Sequence, residues 1–131
     1  MERSVVNPWQ WSVAMGFNQG EVVSGETRTL YCSGQTSVDA EGTPQHGGDM
    51  ASQLALAVDN LEAVLAAAGM TLANVVRLNI YTTDVERVFE HFGVLVSRTA
   101  LAGVAPPGSL LGVAQLAYPD LLVELEATAV A

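Results

Sequence analysis

Two stretches of this sequence have different periods, and their order restricts the fold more than any other feature. From Asp49 to Ala68 the apolar residues Ala51, Leu54, Val58, Leu61, Leu65 and Ala68 recur every three or four positions, the spacing that lines one face of an α-helix. From Val75 to Thr82 the period drops to two, with Val76, Leu78 and Ile80 on one face and Arg77, Asn79 and Tyr81 on the other. That alternation describes a strand with one side toward a core and the other free to meet a partner or line a pocket. A helix running into such a strand buries both apolar faces most simply by lying on the sheet that the strand joins.

The flanking residues extend the pattern. Asp49 is placed to cap the helix, and Gly69 to end it in the left-handed conformation. Asp84 opens a second amphipathic helix whose inner face is expected to carry Val85, Val88, Phe89, Phe92, Val96 and Thr99. Gly103 and Pro106-Pro107-Gly108 stop it. Short strands are expected over Ser12–Asn18, Glu21–Ser24 and Arg28–Ser33, with residues 1–11 irregular and Gly34–Gly48 a loop. Ser109–Ala114 and Leu121–Val130 are the closing strands. The chain therefore reads as one α+β domain over residues 1–131, a mixed sheet with two helices on one face. In the last strand Val123, Leu125, Ala127 and Ala129 point to the helices, leaving Leu122, Glu124, Glu126, Thr128 and Val130 on the uncovered side. A face that mixes apolar groups with a few carboxylates suits contact with another subunit, so self-association is expected.

Charge excludes whole classes of partner. Five cations stand against 14 acidic residues, for a net charge of −9, and all five are arginines: Arg3, Arg28, Arg77, Arg87 and Arg98. Binding a nucleic-acid backbone or an anionic membrane surface requires clustered positive charge, so neither is expected. No apolar run has the length of a membrane span, and the N-terminal residues lack a signal-peptide layout. Cys32, the single cysteine, cannot form an intramolecular disulfide and reads as a small core residue. A cytoplasmic location is the default. His46 and His91 are too far apart in sequence to suggest a metal site, and Gly47-Gly48-Asp49 reads as a helix cap rather than an anion cradle.

Several short segments resemble the RidA/YjgF family, also called the endoribonuclease L-PSP or translation-inhibitor family. They are Ser33-Gly34-Gln35, Gln53 with Asp59-Asn60-Leu61, Val75-Val76-Arg77 leading to Tyr81-Thr82-Thr83-Asp84, and Val123-Glu124-Leu125-Glu126-Ala127. The resemblance implies a chorismate-mutase-like subunit, a homotrimer with a barrel-like core, and ligand clefts between subunits. It also implies hydrolysis of 2-imino or enamine acids to 2-keto acids and ammonia without a cofactor. In that chemistry an arginine holds the substrate carboxylate and a carboxylate positions the attacking water.

Matched residue by residue, Glu124 takes the place of the catalytic carboxylate and Ser33 that of a pocket serine. Phe17 replaces a pocket tyrosine. The family's Pro-Ala-Arg-Ser is here Pro106-Pro107-Gly108-Ser109, so Gly108 occupies the arginine position with Ser109 beside it, and the grip on a carboxylate is lost. Glu126 shares a strand face with Glu124, about 7 Å away, and burial of the two together would raise the pKa of at least one. Arg77 or Arg98 could replace the missing anchor, although Arg77 reads first as part of a structural ion pair at the trimer core. Trp9 and Trp11 read as a packing lid. The resulting expectation is a small-molecule-binding trimer, a divergent imine/enamine deaminase or related hydrolase with weakened activity on 2-imino acids. A non-catalytic metabolite-binding or regulatory trimer is the alternative, and a ribonuclease or translation inhibitor fits the charge poorly.

Overall fold

The computed structural model describes all 131 residues. After a first strand β1 (Glu2–Val6) come a helical turn α1 (Trp11–Ala14) and strands β2 (Gly20–Ser24), β3 (Thr29–Tyr31) and β4 (Gln35–Thr36). The long helix α2 (Met50–Ala67) leads through a 3-10 turn to β5 (Val75–Thr82). Helices α3 (Val85–Glu90) and α4 (Phe92–Leu101) then precede β6 (Leu110–Gly112) and β7 (Val123–Val130).

The helix α2 forms where its period places it. The Asp49 carboxylate accepts the Ser52 N–H at 3.1 Å and the Ser52 hydroxyl at 2.7 Å. At the other end Gly69 adopts φ +72°. The Gly69 N–H reaches the Ala66 carbonyl and the Met70 N–H the Leu65 carbonyl, both at 2.9 Å, a Schellman closure that satisfies the last turn. Leu54, Val58, Leu61 and Leu65 are fully buried against the sheet.

That sheet has the order β3-β7-β5-β6, with β4 also paired to β7, and it is mixed: β5 and β6 run parallel, the other pairs antiparallel. Parallel strands need a crossover, which α3 and α4 supply. The Thr82 hydroxyl fixes the end of β5 by donating to the Leu122 carbonyl at 2.7 Å while accepting the Asp84 N–H at 3.0 Å. Gln53, fully buried on α2, donates to the carbonyls of His46 (3.0 Å) and Asp120 (2.8 Å) and accepts the Leu122 N–H at 2.8 Å. It ties the loop before α2 to the start of β7. No helix is long and apolar enough to cross a membrane.

Several expectations are corrected. Residues 1–11 are not irregular: β1 pairs with β2 as a separate ribbon, and Arg3 fastens it by bonding Glu21 and the carbonyls of Ala73 and Val75. Ser12–Asn18 is not a strand, because α1 turns the chain back and Gly16 at φ +93° breaks any extended run. The loop Gly34–Gly48 contains β4. In β5 a bulge between Val75 and Arg77 puts Val75, not Val76, into the core. The second helix breaks at His91 into α3 and α4; Leu95 takes the buried position, while Phe89 is 52% exposed. The closing strands are shorter than expected.

Two stability outcomes follow from this packing. Leu61→Ala should lower unfolding free energy by about 2–5 kcal/mol in urea denaturation, because the buried site leaves a cavity. Gln53→Leu, although more apolar, should cost at least about 2 kcal/mol in the same measurement, since it strands two carbonyls and one N–H.

Candidate functional site

The uncovered face of the sheet holds one group of candidate residues. On β7 the alternation turns Glu124 and Glu126 away from α2, with Tyr81 opposite Glu124 and Asn79 opposite Glu126 on β5. Glu126 Oε1 accepts the Tyr81 hydroxyl at 2.9 Å and the Asn79 amide at 3.1 Å. Asn79 Oδ1 in turn accepts the Ser109 backbone N–H at 3.1 Å. The hydrogen bond from Asn79, then that from Tyr81, hold the Glu126 carboxyl below its ordinary range, with the Arg77 charge assisting. The bond to Glu126 likewise pushes the Tyr81 phenol up. The expected rise of a carboxyl pKa is therefore not found at Glu126 in the single subunit, where its donors stabilise the charge.

Glu124 is held differently. No side chain or N–H in the subunit donates to its carboxylate; it lies across Gly34. A Cβ built on Gly34 would stand 1.9 Å from Glu124 Oε1 and 2.5 Å from Cδ. The register explains how the chain comes so close. Tyr31 faces Thr128 and Gln35 faces Leu125, so the Ser33-Gly34 corner holds one residue more than the strand opposite, a β-bulge. Ser33 is exposed at this corner, its carbonyl accepting the Gln35 side chain at 3.2 Å. Cys32 points the other way into the core, where burial raises its thiol pKa.

Phe17, Gly108 and Ser109 come together elsewhere, on the helix side of the sheet edge, where they help to line an apolar cavity between β5–β6 and α3–α4. Trp11 packs edge-on against Phe17, with ring centres 5.7 Å apart at 81°, so it braces a pocket wall; Trp9 is 61% exposed. A Cβ on Gly108 would lie 1.7 Å from the Leu78 carbonyl oxygen and 2.6 Å from its carbon. The Leu78 N–H donates to the Pro107 carbonyl at 3.0 Å, and the Ile80 N–H to that of Ser109 at 2.8 Å. The backbone thus runs where no side chain fits unless β5 or β6 moves.

The replacement anchors fare unequally. Arg98 bonds Asp59 at 2.8 Å and also Glu62, clamping α4 to α2, and is unavailable as an anion anchor. Arg3 is bound as described, Arg28 caps the Ala68 carbonyl and Arg87 the Gly48 carbonyl. Arg77 alone makes no hydrogen bond or ion pair within the subunit, and it stands exposed on the uncovered face. Composition and spacing did not disclose the roles of Asn79 and Tyr81 as partners of Glu126, although their alternation had placed them on its face. The spacing role of Gly34 left no trace except its place in a turn-rich segment.

Comparison with known proteins places the chain in a family. The family described as endoribonuclease L-PSP matches residues 11–131. The RutC family protein YjgH of Escherichia coli K12 is 35% identical over 96 residues, covering 73% of this chain and 72% of its own. The crystal structure of YyfB from Yersinia pestis, a protein of unknown function of the conserved Rid family, superposes with a TM-score of 0.88 at 34% identity over the whole of both chains. That of Escherichia coli TdcF with bound serine gives 0.71 at 26% identity, over 88% of this chain and 87% of its own. With its mixed sheet, its bare carboxylate face and a match over nearly its full length, the chain belongs to the endoribonuclease L-PSP family, that of the RidA/YjgF proteins.

Proposed function

We propose that the protein is a homotrimer with a ligand cleft at each subunit seam, and that it hydrolyses imines or enamines, with weakened activity on those that carry a carboxylate. The observation that carries this reading is the pair of close approaches: Gly34 leaves room for a Glu124 carboxylate with no internal partner, while Gly108 lies too near the Leu78 carbonyl for an anchoring side chain. The uncovered face, with Tyr31 79% exposed on β3 and Arg77 exposed on β5 across β7, supports closure by other copies.

In the hydrolysis Glu124 accepts a proton from water as the water oxygen bonds to the imine carbon. Glu124 returns that proton to the nitrogen, completing the carbinolamine; transfer of the carbinolamine hydroxyl proton to the same nitrogen as the C–N bond breaks releases ammonia and leaves the carbonyl compound. Ser33, exposed at the corner beside Gly34, hydrogen-bonds the substrate in this reading. Serine bound to TdcF is a carboxylate-bearing ligand; a cleft here without an arginine at position 108 favours less anionic ones. The same geometry serves a binding or regulatory trimer if Glu124 performs no chemistry. A ribonuclease role is disfavoured because four of the five arginines are engaged within the subunit.

Light scattering should return a mass about three times the 13.7 kDa subunit. A monomer would remove the seam on which the reading depends. With enzymatically generated 2-iminopropanoate, hydrolysis should run at least about a hundredfold slower than in an arginine-bearing relative, roughly 2.7 kcal/mol of transition-state binding. Glu124→Gln should abolish what remains, and Gly108→Arg should not restore it. Rates near those of the relative would overturn the proposal.

A further inference from the structure

A second cleft, of about 360 Å3, lies between the β1–β2 ribbon and the turn after α4, Ala102–Ala105. It shares no lining residue with the cavity beside Gly108, and neither Glu124 nor Ser33 contributes to it. Its volume falls within the roughly 300–1,000 Å3 range of small-molecule sites.

One wall is a charge pair with hydrogen-bonding capacity to spare. The ribbon register puts Arg3, Val5 and Glu21 on the same face. Arg3 Nε donates to Glu21 Oε1 at 2.5 Å, and the Glu21 side chain is only 6% exposed. Arg3 gives two further N–H groups to the carbonyls of Ala73 and Val75. A guanidinium has five N–H donors and a carboxylate two oxygens, so two donors of Arg3 and Glu21 Oε2 keep no partner within the subunit. On the opposite wall the carbonyls of Ala102, Gly103 and Val104 accept no hydrogen bond. Gly103, at φ +74°, has only backbone to present. Val5, 59% exposed, adds an apolar surface at the rim.

This lining selects by charge. The pair is neutral as a whole, so an entering carboxylate would meet Glu21 and an entering ammonium Arg3, each giving up hydration without a free countercharge. A primary amide carries no charge, and it has one acceptor and two donors. Its carbonyl suits the unspent Arg3 N–H groups, and its amino group suits Glu21 Oε2 and a carbonyl of the turn. Groups that lose their water in the cleft regain partners in this way.

We propose that this cleft is a binding site for an uncharged primary carboxamide on a short apolar stem, the amide between Arg3, Glu21 and the turn after α4, the stem against Val5. The site is separate from the imine chemistry proposed above and does not depend on it.

Methyl NMR titration of the protein in its native assembly tests this with 2-methylpropanamide, 2-methylpropanoate and 2-methylpropylammonium, which share a stem and differ in charge. The amide should shift the methyls of Val5, Ala102 and Val104 saturably, and both ions should bind at least about tenfold more weakly. Val5→Phe, at an exposed ribbon position, should weaken the amide by at least about tenfold by filling the rim. If that variant does not fold, the titration of the unaltered protein makes the same test. Equal affinity for an ion and the amide, no saturable shift, or shifts confined to methyls such as those of Leu78 and Leu95 would overturn the proposal. So would a Val5→Phe protein that folds but changes its subunit count, since a second copy would then be the occupant.

Discussion

The alternation of β7 is the constraint that the rest of the molecule obeys. Val123, Leu125, Ala127 and Ala129 lie at 2% exposure or less beneath α2, and the pleat turns Glu124, Glu126 and Thr128 to the bare side. A slip of one residue would drive two carboxylates under the helix and expose four apolar side chains, so the register is strongly specified. Because β3, β4 and β5 all pair with β7, they inherit that choice. The carboxylate face is in this sense a by-product of building the core. Whatever chemistry it performs is placed there by the same period that packs α2.

Two missing Cβ atoms refine that face. Gly34 lets the chain pass under Glu124 at the corner where β3 gives way to β4, so the carboxylate is supported by backbone and remains free of hydrogen-bonding partners. Gly108 lets the start of β6 lie against β5 closer than any side chain would permit. The two positions act in opposite directions. One makes room for a charged group, and the other denies room to the group that would oppose a substrate's charge. At position 108 the exclusion of a side chain is thus built into the backbone of β5 and the segment before β6.

Periodicity carried much of this in the sequence. The bounds of α2, its cap and its closing glycine, the span of β5 and the two faces of β7 follow from apolar spacing, and the structure reproduces them to within a residue or two. What failed did so where local pattern and tertiary contact disagree. Ser12–Asn18 has strand-like residues, but Gly16 takes a left-handed turn that no alternation reveals. The Val76 bulge shifts one residue between faces without altering composition. β1 has no apolar stripe, being held by Arg3 reaching to Ala73 and Val75. Of the candidate site, Glu124, Ser33 and Gly108 were singled out only through the family resemblance. Their separation into a carboxylate face and an apolar cavity was not, because it depends on which side of β5 each meets.

Glu124 and Glu126 differ by two positions on one strand, yet their neighbours divide them. Glu126 is met by Asn79 and Tyr81 from β5, with Arg77 close enough to add its charge, and all three favour the ionised form. Its lowered pKa means that these bonds stabilise the fold above the ordinary carboxylate range and lose that contribution as pH falls through the depressed value. The effect is small at so exposed a site. Asn79 also takes the Ser109 N–H, so the cross-strand amide that fixes Glu126 holds the β6 edge as well. A carboxylate bound in this way is a poor proton acceptor, since taking a proton means giving up its donors. Glu124 has no such donors to lose. The pairing of β5 with β7 therefore divides two identical side chains, one bonded into the sheet edge and the other left without a donor within the subunit.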